Sequence, residues 1–287
     1  MSWIGWILLS AVFLALYDLA KKAGVRNNAV LPVLFISTVS GCAAYVLVLA
    51  SCGHLGTVCA TLNRDVLTLG LSKAVLVASS WIFTFCALRT LPITIATPIR
   101  ASSPALVFFA ALFIYREVPT LIQGLGMLLV FTGYFLFSRA GRHEGIDFLR
   151  NRAVWCAVVG ALLAAASSLW DKYVFQVRQA PIEGTQLVYQ FGLVLVYAIG
   201  LCFPRRNAFQ WRWTIPLVGI LLAVSDYLSF NGLSIKGTPI SEAALMRRFS
   251  VVLTFVFGAI VFRETNLMRK ALSLSLVVIG IVILALS

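Results

Sequence analysis

The sequence predicts an all-α membrane protein: a polytopic bundle of ten transmembrane helices arranged as two inverted five-helix repeats. Composition, the spacing of apolar runs and an internal repeat lead to that reading. Of 287 residues, 61% are hydrophobic and only 11% are charged, while soluble domains carry about 25% charged residues. The mean hydropathy is +0.96. At roughly 20 apolar residues per bilayer crossing, the length admits about ten crossings with short joints and leaves no separate catalytic domain.

Bounded by charges, Pro and Gly, the apolar runs fall at 3–20, 31–51, 66–88, 93–114, 120–138, 153–177, 186–203, 214–235, 240–262 and 271–286. Lipid offers the backbone no hydrogen-bond partner, so such runs fold as helices or close into a barrel. They are too continuous for the alternating pattern of barrel strands. The chain starts Met1-Ser2-Trp3-Ile4-Gly5-Trp6, without the basic segment and small-residue cleavage site of a secretory leader. The first run is therefore expected to remain as a span.

Leu88 to Glu117 lies on Ile235 to Glu264 at a constant offset of 147. Pro92 then meets Pro239, Arg100 meets Arg247, and Arg116-Glu117 meets Arg263-Glu264. Earlier in each half the offset is 153, where Tyr17-Asp18 matches Trp170-Asp171. The chain divides accordingly into a first repeat over 1–138, a connecting loop over 139–152 and a second repeat over 153–287. An odd number of crossings per copy sends the second copy through the membrane in the opposite sense, a plan that recurs among secondary transporters.

In a soluble protein a net charge of +13 suggests nucleic acid or an acidic partner. Here most Lys and Arg occupy the joints, so they read as topology signals, and no nucleic-acid partner is expected. Joints after odd-numbered spans hold most of them, while the others hold only Arg64, Arg116, Arg178 and Lys236, which puts both termini outside the cytoplasm. The cysteines at 42, 52, 59, 86, 156 and 202 form no Cys-x-x-Cys pair, and His54 and His143 lie in joints. Neither a disulfide framework nor a metal site is expected. No Gly-x-Ser-x-Gly, Walker-type loop or His-Glu-x-x-His occurs, so no enzyme activity and no cofactor are expected.

Nine ionisable residues fall inside the spans: Asp18, Lys73, Arg100, Asp171, Lys172, Asp226, Glu242, Arg247 and Arg248. Each costs at least about 2.5 kcal/mol at the bilayer centre, so each is a functional candidate facing protein or water. They occupy spans 1, 3, 4, 6, 8 and 9, equivalent helices of the two halves, which would enclose a polar cavity. Arg100 and Arg247, repeat mates about 10 Å into their spans, offer permanently charged forks suited to carboxylate or phosphate. Arg248 is turned about 100° from Arg247. The alternative is that these arginines pair with Asp226 and Glu242 as ties between helices. Asp18, Asp171 and Glu242 are candidate coupling residues, because a carboxylate in a low-dielectric cavity can take up protons near neutral pH. Asp18 can instead pair with Lys21 or Lys22 at helical spacing. Trp81, Tyr227, Phe230, Trp170 and Tyr17 are candidate pocket walls, although aromatic residues also serve as packing and interfacial anchors. Pro98 and Pro104 are expected to kink span 4, whereas Pro216 and Pro239 start helices.

Ten short spans in two halves, with Leu91-Pro92 through Arg116-Glu117 in one and Thr238-Pro239 through Arg263-Glu264 in the other, resemble the EamA type of the drug/metabolite transporter superfamily. The resemblance implies alternating access around a cavity formed by helices 1, 3, 4, 6, 8 and 9, with helices 5 and 10 peripheral. It also implies cytoplasmic termini, opposite to the Lys and Arg count. In the sugar-phosphate branch, basic residues on helices 4 and 9 hold the phosphate. Arg100 and the Arg247-Arg248 pair look like that arrangement, with Arg at some positions where that branch has Lys.

The leading expectation is a secondary transporter in the plasma (inner) membrane, moving a small anionic or zwitterionic metabolite. Arg100, Arg247 and Arg248 would form an anion clamp, with Trp81, Asp226 and Tyr227 also at the substrate. Coupling would use protons through Asp18, Asp171 or Glu242, or exchange without them. The alternatives are an exporter of amino acids or hydrophobic drugs with structural arginines, and a non-transporting protein that binds a membrane lipid headgroup.

Overall fold

The computed structural model describes residues 2–25, 28–90, 103–139, 152–202, 209–262 and 267–286. Among the described residues every regular element is a helix. In chain order they are α1 (Trp3–Val25), α2 (Val30–Ser51), α3 (Leu55–Ala60), α4 (Arg64–Thr90), α5 (Ser103–Ile114) and α6 (Leu121–Arg139). There follow α7 (Arg152–Lys172), which runs into a π-helical turn at Tyr173–Val177, then α8 (Ile182–Leu201) and α9 (Thr214–Ser234). The last three are α10 (Ile240–Arg247), α11 (Phe249–Phe262) and α12 (Leu267–Leu286). Among the described residues, 6 stretches are long and apolar enough to cross a membrane: Trp3–Lys21, Val30–Ser51, Arg64–Thr84, Arg152–Val177, Ile182–Leu201 and Thr214–Ser234. Ser103–Ile114, Leu121–Gly133 and Ser275–Leu286 are shorter apolar stretches.

The chain forms two compact units, each built from two separate stretches. The first comprises Met1–Ala78 and Trp170–Thr238. Within it α1 packs along α9, where the Ser10 hydroxyl donates to the Ser225 carbonyl at 2.8 Å and Ser225 Oγ donates back to the Ser10 carbonyl at 3.0 Å. Exchanging hydroxyl bonds this way satisfies polar groups that lipid would leave unpaired. α2 crosses α9 so closely that a Cβ on Gly219 would stand 1.6 Å from the Ser37 carbonyl oxygen. α4 meets α8 at another small-residue contact, where a Cβ on Gly192 would lie 2.6 Å from the Ala74 methyl. Close backbone approach is how membrane helices gain dispersion energy once lipid has removed the hydrophobic drive between them.

The second unit comprises Ser79–Leu169 and Pro239–Ser287. Its longest seam joins α6 to α12, with the Gly280 Cα facing the Gly126 carbonyl so that an added Cβ would sit 2.6 Å from that oxygen. Ser80 Oγ donates to the Gly160 carbonyl at 2.8 Å, tying the later part of α4 to α7. α10 lies against α5 and touches α6 and α12.

Three details differ from the hydropathy reading. The run 240–262 is not one helix: Arg248 ends α10, its N–H bonding to the Leu245 carbonyl and its own carbonyl accepting from Val251. Hydrogen bonds thus switch locally from four-residue to three-residue spacing, which tightens and terminates the helix. The eighth helix starts at Ile182 rather than 186, bringing Glu183 into its first turn. The joint after span 2 contains the short helix α3. Pro104 is buried in α5, while Pro98 and the residues preceding Ser103, on which the expected kink of span 4 depends, lie outside the described residues.

Candidate functional site

In the first unit, buried polarity converges where α4, the end of α7, α8 and α9 meet. Lys73 is 3% exposed and Asp171 7%. The Lys73 Nζ donates to Asp171 Oδ1 in a buried ion pair. The ammonium also lies 4.0 Å from the centre of the Phe230 ring and 4.9 Å from that of Tyr189. A lone charge here would carry several kcal/mol of desolvation, so the carboxylate and the ring faces together make the lysine tolerable. Trp170 Nε1 donates to the Leu69 carbonyl at 3.2 Å, and Phe175 stacks on Phe230 at 4.7 Å. Directly after Asp171-Lys172 comes the π-helical turn. Its Gln176 amide donates to the Thr238 carbonyl at 2.7 Å. Such wide turns occur often at functional positions.

On α8, Gln186 and Gln190 share a face one turn apart. Gln186 Nε2 donates to the Ala223 carbonyl at 2.7 Å, which fixes the orientation of its amide. The Oε1 atoms of Gln186 and Gln190 and the Thr185 hydroxyl oxygen are buried with no hydrogen-bond partner. Three buried acceptors of this kind fit donors brought by water or by a ligand. Nearby on α9, Asp226 is buried and Tyr227 half-buried. The Tyr227 hydroxyl reaches Glu183 Oε1 at 3.4 Å, and its ring lies 6.3 Å from that of Tyr45. Asp18 is half-buried on α1, and Lys21 sits over the Tyr17 ring at 5.3 Å. Just past the stretch Arg152–Val177, the exposed Arg178 bonds Asp65 at 2.8 Å. The Tyr173 hydroxyl first, and Asp65 next, hold its guanidinium above the usual arginine range.

In the second unit the notable element is α10. Glu242 is 4% exposed in its first turn, Arg247 closes it, and Arg248 is the turn residue behind it, both arginines half-buried. The helix is capped from outside: Glu117 Oε1 accepts the Ile240 N–H at 2.8 Å, and Oε2 accepts the Ser241 N–H at 3.2 Å and its hydroxyl at 2.7 Å. Trp81 is half-buried on α4. Arg100 lies outside the described residues. Among the described residues no group of three His, Cys, Asp or Glu is placed to hold a metal.

Of the residues singled out from sequence, Asp226 and Tyr227 share α9 with Phe230, while Glu242, Arg247 and Arg248 share the broken span. Lys73 as the partner of Asp171, the two buried glutamines, Glu183 and Glu117 were not singled out as site residues. Of these, Lys73 carried the signal of a charge inside a span, and Glu117 that of the repeated Arg-Glu pair. The glutamines are uncharged and escape a search for ionisable groups.

Helices of this length and apolarity, with charges buried among them, define a multi-pass integral membrane protein. The model of the EamA-like transporter family matches residues 1–139 and 151–286, and the chain belongs to that family, whose members are transporters of small molecules. Its fold is similar to that of a protein solved by crystallography, with a TM-score of 0.77 over 99% of this chain and 95% of the other at 16% identity. Among curated proteins no sequence matches.

Proposed function

We propose that the chain is a secondary transporter of a small anionic or zwitterionic metabolite in the plasma membrane. Arg247 and Arg248, with Arg100 at the repeat-related position, form its anion clamp. The observation that carries the reading is the interruption of an apolar span at the arginine pair. Two guanidiniums in a membrane helix are costly, and discontinuous helices are where transporters build solute sites. Trp81, Asp226 and Tyr227 complete the substrate surroundings in this reading, and Asp18, Asp171 or Glu242 carries any coupled proton.

Ten spans in two inverted repeats, 1–138 and 153–287, underlie the mechanism: the halves rock to expose the site alternately to each side. Helix pairing supports the repeat. α1 with α9 has its counterpart in α7 with α4, and α2 with α9 in α8 with α4. α6 with α12 and α5 with α10 are their own counterparts.

The test is counterflow in proteoliposomes with labelled carboxylates, phosphate esters and amino acids. We expect flux of an anionic or zwitterionic solute, cut about 10- to 100-fold by Arg247→Ala, the loss of one charged hydrogen bond or more. Unchanged flux in that variant, with normal folding, removes the clamp. Flux confined to hydrophobic solutes supports the exporter alternative, and retention of anionic lipid with no flux supports a lipid-binding protein.

A further inference from the structure

We infer that Glu117 is a positioning residue for the arginine pair, holding the half-helix α10 from its far end. The inference rests on the anion-clamp reading given above.

The local geometry starts in α5. Its last turn closes with the N–H groups of Tyr115 and Glu117 both bonded to the Ala111 carbonyl, at 2.9 and 3.3 Å, and with Arg116 at φ 54 between them. This is a helix end that ordinarily takes glycine at the left-handed position. An arginine there is strained, and such strain persists where the surroundings fix the conformation. The turn delivers the next side chain, Glu117, to the start of α10.

That start lacks a cap of its own. Pro239 occupies the N-cap position and supplies no side-chain hydrogen bond. The Glu117 carboxylate, 123 residues away in sequence, takes the first two N–H groups and the Ser241 hydroxyl with both of its oxygens. It also places a negative charge at the positive end of the helix. Because the chain breaks at Arg248, the remainder of the span does not carry α10 in register. The eight residues of α10 pack against α5, α6 and α12, and this carboxylate fastens their first turn. Arg247 sits roughly 10 Å of helical rise from the capped end. Any tilt allowed at the cap is transmitted through a rigid helix to the guanidinium.

The experiment uses the full-length protein in detergent, with hydrogen exchange over 240–247 and thermal unfolding titrated with inorganic phosphate as the probe anion. Glu117→Gln keeps one acceptor and loses the charge. We expect exchange over 240–247 to accelerate about tenfold and the apparent phosphate affinity to fall about tenfold, the size of one charged hydrogen bond. Ser241→Ala, which removes one of the three bonds, moves both readouts the same way by a smaller factor. Arg116→Gly, which eases the turn and leaves the carboxylate, changes neither. A Glu117→Gln protein that melts earlier yet keeps native exchange over 240–247 and native phosphate affinity overturns the inference. If phosphate fails to stabilise the parent chain, or stabilises Arg247→Ala equally, the anion clamp falls, and the exchange measurement still decides whether Glu117 holds α10.

Discussion

Among the described residues, two interruptions of regular α-geometry within the apolar spans fall one in each compact unit, and the two are secured differently. At the end of α7 the helix widens into the π turn at Tyr173–Val177 without breaking. Asp171, just before it, is held by Lys73, and Gln176 within it bonds the Ile235 and Thr238 carbonyls. Side chains on both flanks therefore fasten the irregular turn. In the other unit the span stops at Arg248 and starts again at Phe249. There the short half-helix is capped at its first residues by Glu117, and Arg247 and Arg248 lie at the opposite end, next to the break. The first irregularity is thus fastened by side chains on both of its flanks, and the half-helix of the second is capped about one helix length from its arginine pair.

The largest expected effect comes from the pinned side. Lys73→Met leaves Asp171 buried without its ammonium and should destabilise the protein by about 3–5 kcal/mol, read from denaturant unfolding in detergent. The double variant Lys73→Met, Asp171→Leu should recover most of that loss, since apolar replacements of buried ion pairs are commonly near neutral. A double variant as unstable as the single one would dissolve the contrast with α10.

Next in size, Gly219→Ala pushes a methyl into the Ser37 carbonyl, where α2 and α9 touch backbone to backbone. Overpacking of this kind typically costs about 1–3 kcal/mol. Gly124→Ala, with nothing within 4 Å of the added carbon, is the matched control and should leave stability unchanged or slightly raised. Gln176→Leu should cost about 1 kcal/mol through its lost hydrogen bonds, and it tests whether the π turn depends on them. The smallest effect is a gain: Arg116→Gly removes a left-handed arginine and should stabilise by about 1 kcal/mol in thermal unfolding.

How far the sequence reveals this architecture depends on the kind of interaction. The apolar runs mark the helices well, and Pro239 marks the start of α10. The break at Arg248 has no such mark: Ser241 to Val252 contains neither Gly nor Pro, and hydropathy reads straight through it. The repeated Arg-Glu pair could be seen in the sequence, but the role of Glu117 as a cap could not, because its partners lie 123 residues away. Likewise Asp171 and Lys73 both stand out as intramembrane charges, yet only the packing of α4 against the end of α7 joins them across 98 residues.

By itself the chain determined that it is helical and membrane-spanning, which residues inside the spans carry charge, and which family it belongs to. Each of these is written locally, because lipid imposes its cost on every residue and every unpaired backbone group separately. Tertiary structure decided which buried charge meets which partner, where a span is interrupted and what caps the half-helix. Those outcomes depend on pairs of groups far apart in the chain, whose energies exist only once the helices have packed.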